Sequence, residues 1–539
     1  MNLLLAALDK VCRRNLLQEK ILVVPSYQCG HVLFESLAQA GTGWVNLRPE
    51  TPAGLALRAA GEQLAARRIS LLPGYLSKIV AEEILLKSYD EGELRYFSKQ
   101  NITPGLSAAL SSAFLELRLC GVSSDALLDE YFICPEKSRD MKLLLRKYED
   151  YLLDHRSLDY PGLISSALTA APARPAASED TIYLAPSFYR WKPLEEKLIR
   201  VMAGDYLIPL PAETTAIGEP ERGAGVERLQ LRPGPRRAQH LAIDGEVSFF
   251  HAYGLINELR EVLRQVQAKK IPFDQVAVGY TNDQYIAALY SLSRSLGLEI
   301  TVFEGIPAAL TAPGRALRGI ASWIKSGFSG AVLSGLGESG DLVLRCADRE
   351  IKAPERASQG GGASIESLLG QLPGENAEGK ASFSDFCAAL AEMLPALCGL
   401  YDDLDDLALA AITSSLQQIA ALSSLELSLE EAAERALAVL EGLRVGNSGP
   451  KPGRLYLTSY YNLIWSGRPH TFVVGLDAGS FPGAVRQDAV LLDSERMRIN
   501  AALPLGSGKV EDKRFDMRTA LSSRRGRLVL SYPSFDVVQ

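Results

Sequence analysis

The sequence predicts an α/β protein of two parallel-sheet units, each interrupted by a block of helices. Three observations carry this expectation. Short apolar runs closed by proline or a glycine turn recur along the chain, as strands buried on both faces of a parallel sheet do. Strand and helix patterns alternate near the N-terminus and again after residue 246, which is the order that βα units produce. Between them lie long stretches whose apolar residues keep helical spacing. At 539 residues, the chain is too long for one hydrophobic core, and several domains of about 100 to 200 residues are expected.

In chain order, residues 1–17 carry an apolar stretch followed by Arg13 and Arg14. That reverses the charge order of a secretory signal and reads as an amphipathic first helix. The run 20–26, closed by Pro25, is the first strand, and a helix is expected over 27–40. A second strand is expected over 44–47. Thr51 and Pro52 then open a helix with a threonine cap and proline in its first turn. From 71 to 168 the spacing is helical, with segments at 75–89, 104–119, 124–130 and 140–154. After a low-complexity loop at 170–179, a strand at 181–186 and a helix at 194–202 return to the first sheet.

Residues 211–245, rich in Gly, Pro, Glu and Arg, mark the main boundary. The second unit then reads strand 247–252, helix 255–269, strand 275–279, helix 283–296 and strand 299–302. A helical region at 313–443 contains a Gly-rich segment at 358–379. The sheet resumes with strands at 454–457, 470–474 and 527–530. The expected organisation is a first α/β domain from 1–70 and 180–215 with its insertion at 71–179, and a second from 246–312 and 451–539 with its insertion at 313–450.

Composition sets limits on function. Hydrophobic residues make up 47% and charged residues 22%, a globular balance, and no run approaches the roughly 18 apolar residues a membrane span needs. Seven scattered cysteines without a CxxC pair argue against a disulfide framework or a zinc or iron–sulfur site, and a reducing cytoplasm fits them. The five histidines are too dispersed to suggest a metal site. With a net charge of -7, any nucleic-acid contact must come from local patches. The candidates are Arg67 with Arg68, Arg232 with Arg236 and Arg237, and Arg524 with Arg525 and Arg527; solvated arginines near helix ends are the plain alternative. Tyr189, Arg190 and Trp191, and Tyr460, Tyr461 and Trp465, set aromatic rings beside polar groups where stacking on unpaired bases competes with core packing. Tyr460 and Tyr461 are the pair retained as DNA candidates. The acidic group Asp402, Asp403, Asp405 and Asp406 reads as a helix start near the positive end of the dipole.

Several segments resemble a known family. Val474-Gly475-Leu476-Asp477-Ala478-Gly479-Ser480-Phe481-Pro482 is similar to the V-x-G-L-x-E-G-x-F-P segment that follows motif V in UvrD-like, RecB-like and AddB-like proteins. Its logic is a buried strand, a glycine turn and a Phe-Pro that ends the turn. Residues 488–496 resemble the continuation ending in Asp-x-Glu-Arg that is common in AddB-type subunits, and 518–533 resemble helicase motif VI with its following strand. Further likenesses are 23–26 to motif Ia, 276–282 to motif IV, and 116–118 and 147–149 to the AddB helical insertion. The chain is thereby identified as an AddB/RexB-like subunit of an ATP-dependent helicase–nuclease, an inactivated superfamily 1 helicase.

The resemblance implies two P-loop NTPase-like (RecA-like) domains, 1A-like and 2A-like, with 1B-like and 2B-like insertions. It implies a role in double-strand break repair and recombination, with DNA and an AddA/RecB-like motor subunit as partners and no membrane. The family uses ATP and Mg2+, and in some members a 4Fe-4S cluster, in company with a PD-(D/E)XK nuclease domain that this sequence does not supply.

The residues that hydrolyse ATP in such a fold are missing from their expected positions. No GxxxxGK[ST] occurs; Gly506-Ser507-Gly508-Lys509 has Leu503 in place of the first glycine and Val510 in place of the magnesium-binding hydroxyl, and reads as an exposed loop. Leu184-Ala185-Pro186-Ser187-Phe188 offers no carboxylate at the motif II strand. Thr281 stands where motif IV carries an arginine, and Ser523 stands at the arginine finger, with Arg524 one residue away. No catalytic residue, metal or cofactor is therefore expected in this chain, and a non-motor DNA-binding body is the reading. An ATPase with a divergent site and a protein-only scaffold are the alternatives.

Overall fold

A computed structural model of the chain describes residues 3–97, 102–171, 180–211, 246–338, 370–485, 487–522 and 526–535, with positions 340, 342, 345, 346, 349, 350 and 524. The loop expected over 170–179, the boundary at 211–245 and the Gly-rich segment from 358 lie wholly or largely outside these residues. The amphipathic α1 (Leu3–Arg14) leads into β1 (Glu19–Val23), α2 (Tyr27–Gln39), β2 (Leu47–Glu50) and α3 (Pro52–Ala66). Thr51 caps α3 as its sequence requires, its side chain accepting the Gly54 N–H at 3.0 Å. The second strand begins at Leu47 and not at 44. Asn46 takes a left-handed φ of 53°, which breaks the extended run, and Trp44 packs on Phe34 with ring centroids 5.6 Å apart.

The first insertion holds α4 (Gly74–Asp90), α5 (Pro104–Leu119) and α6 (Pro135–Asp154). The helix expected over 124–130 is two 3-10 turns, Ser124–Ala126 and Asp129–Tyr131. Side chains compete there with helical bonding: Glu149 accepts the Ser124 N–H and hydroxyl, and Asp129 accepts from Ser138 and Lys142. The chain returns through α7 (Tyr160–Ala170), β3 (Thr181–Pro186), α8 (Pro193–Ala203) and β4 (Leu207–Leu210). The four strands form a parallel sheet in the order β2-β1-β3-β4.

The second unit runs β5 (Val247–Tyr253), α9 (Gly254–Ala268), β6 (Val276–Tyr280), α10 (Gln284–Leu296) and β7 (Ile300–Val302). Its insertion holds α11 (Ala312–Lys325), α12 (Gly330–Glu338), α13 (Phe383–Leu397), α14 (Asp403–Ala420) and α15 (Leu429–Gly442). Then follow β8 (Leu455–Ser459), a 3-10 turn (Tyr460–Trp465), β9 (His470–Val474), α16 (Asp493–Ile499), α17 (Lys509–Ser522) and β10 (Arg527–Phe535). This sheet is also parallel, in the order β5-β10-β9-β6-β8-β7. The order of the first sheet recurs within it as β7-β6-β9-β10, with β8 intercalated and β5 added at the edge.

Each sheet buries one face beneath its own helices: Ile21, Val23 and Tyr183 lie under α3, α7 and α8, and Val276, Val278 and Phe472 under α9 and α10. The opposite faces share a single core. Leu22, Val32, Ile182 and Leu184 of the first unit pack in one cluster with Ala277, Tyr456, Trp465, Val473 and Leu528 of the second. The two insertions merge likewise, Leu85, Phe114 and Leu145 packing in one cluster with Leu317, Trp323, Phe386 and Leu416. Complete burial of side chains of this size stabilises by about 1.5–3 kcal/mol each, so these junctions hold the units together as the strand ladders hold each sheet.

Candidate functional site

Ligands of parallel α/β sheets bind outside the carboxyl ends of the strands, and in the second sheet that edge is built around the turn after β9. Gly475 has a φ of 79°, and a Cβ there would collide with Thr281 Oγ1 and the Tyr285 ring; only glycine fits. Its N–H donates to Glu258 Oε1 at 3.1 Å. Glu258, on α9 and fully buried, also accepts from the Ser531 and Tyr285 hydroxyls, each at 2.5 Å. Burial pushes this carboxyl up from its ordinary value, and the three donors pull in the opposite direction. One carboxylate thus ties β9, β10 and α10 together.

The rest of the turn is similarly self-contained. Leu476 N–H donates to Ser531 O at 3.0 Å, and Asp477 Oδ1 accepts the Gly479 and Ser480 N–H groups at 2.9 Å each. Phe481 lies edge-on to Tyr460, with centroids 5.4 Å apart, and Pro482 O accepts from Lys513 Nζ at 2.8 Å.

Of the two tyrosines expected to meet DNA, the structure corrects one. Tyr460 is 6% exposed, packed between Phe481 and Tyr461 in the core shared by the sheets, so it presents no face to a base. Tyr461 is 49% exposed, because the tight 3-10 turn sends consecutive side chains to different faces. That turn is fixed from behind by Glu304, which accepts from Ser459 N–H at 2.8 Å, Ser459 Oγ at 2.6 Å, Thr458 Oγ1 at 3.1 Å and Asn462 Nδ2 at 3.0 Å. Neither Glu258 nor Glu304 stood out in the sequence, since each sits 150 or more residues from its strand-end partners.

At the matching edge of the first sheet, the residues after β3 turn inward to the junction. Phe188 packs on Trp465 at 5.4 Å, and Tyr189 on Trp191 at 4.5 Å. Arg190 lies over Phe515 at 4.9 Å, is ion-paired with Asp512 and sits 3.9 Å from Asp516. Burial raises the Asp516 carboxyl to about 6 against the opposing pull of Arg190. Trp191 and Trp465 are buried packing residues.

The basic candidates separate. Arg524 is corrected: it is 4% exposed and donates to the Leu463 and Ala520 carbonyls, and burial pushes its guanidinium down to about 10. A group so enclosed reaches neither DNA nor a nucleotide. Arg527 is largely covered and donates to Gln265 Oε1 at 3.2 Å. Arg67 and Arg68 are exposed at the end of α3. Arg232, Arg236, Arg237, Ser523 and Arg525 lie outside the described residues.

Gly506–Gly508 form a turn at the start of α17, with Ser507 and Lys509 exposed as the composition suggests and Gly506 buried. The Gly506 and Ser507 N–H groups donate to the Asp493 carboxylate at 2.7 and 2.8 Å, and these bonds hold Asp493 below the usual carboxylate range. The anion cradled by these amides is the protein's own. Leu184 and Ala185 are buried, and Thr281 Oγ1 donates to Gly475 O.

The segment 488–496 is a strut. Glu495 accepts from Lys137 Nζ of α6 at 2.7 Å with both side chains almost wholly buried, and from Ile133 and Leu492 N–H. Arg496 reaches Glu116 of α5, Asp488 and the Leu491 and Pro504 carbonyls. The acidic group at 402–406 is a helix start: Asp402 caps α14 through the Leu404 and Asp405 N–H groups, and buried Asp405 accepts the Ala312 and Tyr401 N–H groups.

Among the described residues, no group of three or more His, Cys, Asp or Glu is placed to hold a metal ion, and no helix is long and apolar enough to cross a membrane. No known family model matches the chain, and no curated protein matches it significantly.

Proposed function

We propose that this chain is the non-motor, helicase-like part of a helicase–nuclease subunit, binding a DNA strand beside an AddA/RecB-like motor during double-strand break repair and recombination. The observation that carries the reading is the closed junction between two parallel sheets of related strand order. Leu22, Leu184, Tyr456, Trp465 and Val473 fill it, and the Lys137–Glu495 and Arg496–Glu116 pairs further tie the first insertion to α16 of the second unit. A motor must part and close such sheets around a nucleotide, whereas a body that only holds a strand works best rigid. Tyr461 supplies an exposed ring for stacking at the strand ends.

The test is DNA binding and nucleotide binding by the purified chain, alone and with its motor subunit. DNA affinity that falls steeply with salt, without ATP binding or turnover, is expected. Salt-independent DNA binding, or none in the assembled complex, overturns the reading, and ATP turnover by the isolated chain replaces it with the divergent ATPase. A protein-only scaffold is favoured by one observation: Phe249 and Tyr253 on the edge strand β5 are each 74% exposed. It predicts motor binding without DNA affinity.

A further inference from the structure

Two helices of the first unit end in the same unusual way. Arg68 follows α3 with a φ of 53°, and Arg156 follows α6 with a φ of 47°. Both donate their N–H to the carbonyl three residues back, at 3.0 Å to Ala65 and 3.1 Å to Leu153. Glycine is the strain-free residue at this left-handed position, yet arginine occupies it twice. The chains then run side by side: Ser70 pairs with Ser157 and Leu71 with Leu158, Ser70 N–H donates to Arg156 O at 3.0 Å, and the two serine hydroxyls are 3.2 Å apart. The fold therefore gathers Arg67, Arg68 and Arg156 from positions almost ninety residues apart.

All three are exposed, and none has an ion-pair partner among the described residues. Asp154, in the last turn of α6, pairs with none of them. Several other exposed arginines are ion-paired, Arg13 with Asp9, Arg146 with Asp125, Arg264 with Glu261 and Arg514 with Glu511. Arg14, Arg139, Arg260, Arg318 and Arg498 are exposed without an ion pair among the described residues, but no two of them are brought side by side by a strand pairing such as Ser70–Ser157. The 15 residues of α3 descend from the carboxyl end of β2 over about 20 Å at about 1.5 Å per residue, so the three guanidiniums sit at the opposite edge of the first sheet.

We infer that Arg67, Arg68 and Arg156 form a second contact for DNA, gripping backbone phosphates beyond the segment held at the strand ends. This rests on the DNA-binding reading above. The guanidinium fork matches phosphate oxygens bidentately, helix ends hold its base in place, and no ion pair among the described residues occupies the donors. The contact carries affinity and register and reads no sequence.

The test is a salt titration of DNA binding by the full chain, using a fluorescent probe with duplex and single-stranded arms. The variant R67A/R68G/R156G suits the fold, because glycine relieves the two left-handed positions, and its melting temperature should equal or exceed that of the native chain. Each lost phosphate contact removes about 0.9 from the slope of log K against log salt; a slope shallower by about 2 to 3 and at least a tenfold loss of affinity at low salt are expected. K269A/K270A, at the end of α9, should leave the slope unchanged. If the native chain binds DNA and the triple variant keeps its slope, the arginine contact is overturned and the DNA-binding reading stands. If the native chain binds no DNA, both fall. Loss of binding to polyglutamate with DNA binding intact overturns the inference in favour of an acidic protein partner.

Discussion

Tyr460 and Tyr461 are neighbours in sequence with opposite surroundings, and the pair separates a packing side chain from an exposed one at the scale of one residue. Truncating buried Tyr460 removes a ring from between Phe481 and Tyr461; Y460A should destabilise the chain by about 3 kcal/mol, read as a lower denaturation midpoint. Y461A should leave that midpoint within about 0.5 kcal/mol and weaken single-stranded DNA binding by the roughly 1–3 kcal/mol that stacking one base contributes. An unchanged DNA affinity for Y461A would remove the proposed strand-end contact. Asp516 offers a pH readout. Its carboxyl is held near 6 against an ordinary 3.8, so the folded state binds the proton more tightly than the unfolded one. The stability this gives is fully present below about pH 4 and is lost as pH rises through 6. D516N should therefore melt at a temperature that changes less than the native one between pH 4 and 7.

At the scale of the element, the chain was most legible where one physical signal dominated. The strands Thr181–Pro186 and His470–Val474 fall on their apolar runs, and α3 starts directly after its Thr51 cap, with proline in its first turn. T51A should cost about 1 kcal/mol, measurable by chemical denaturation. Legibility failed where local side-chain bonds outbid periodicity, as Glu149 and Asp129 do around 124–131, and where a left-handed Asn46 displaced a strand start. It failed more deeply at the site. The turn around Gly475 could be read because its glycine spacing is local, but Glu258, Glu304 and Arg156 acquire meaning only when the topology carries them to distant strand ends. Arg524 looked like a surface cation because no local pattern announces that the Leu463 and Ala520 carbonyls enclose it.

At the scale of the whole molecule, the junctions decide how the units respond to stress. Lys137 lies in the insertion of the first unit and Glu495 in the second unit, and neither contacts water appreciably. Removing one partner leaves a buried, uncompensated charge, which costs about 3–5 kcal/mol, whereas replacing both by apolar groups of similar volume is often neutral. K137M should thus be strongly destabilising, and K137M/E495L should recover much of the loss. The shared apolar core between the sheets and the merged core of the insertions make a stronger demand. If these cores couple the units, heating should give one cooperative transition with the same midpoint by far-UV circular dichroism and by the fluorescence of the four tryptophans, Trp465 at the junction among them. K137M, which weakens one junction and leaves both sheets intact, should lower that single midpoint. Two separated transitions in the native chain would mean that the sheets melt independently, and a body whose halves part so readily would have the freedom of motion that the closed junction denies it.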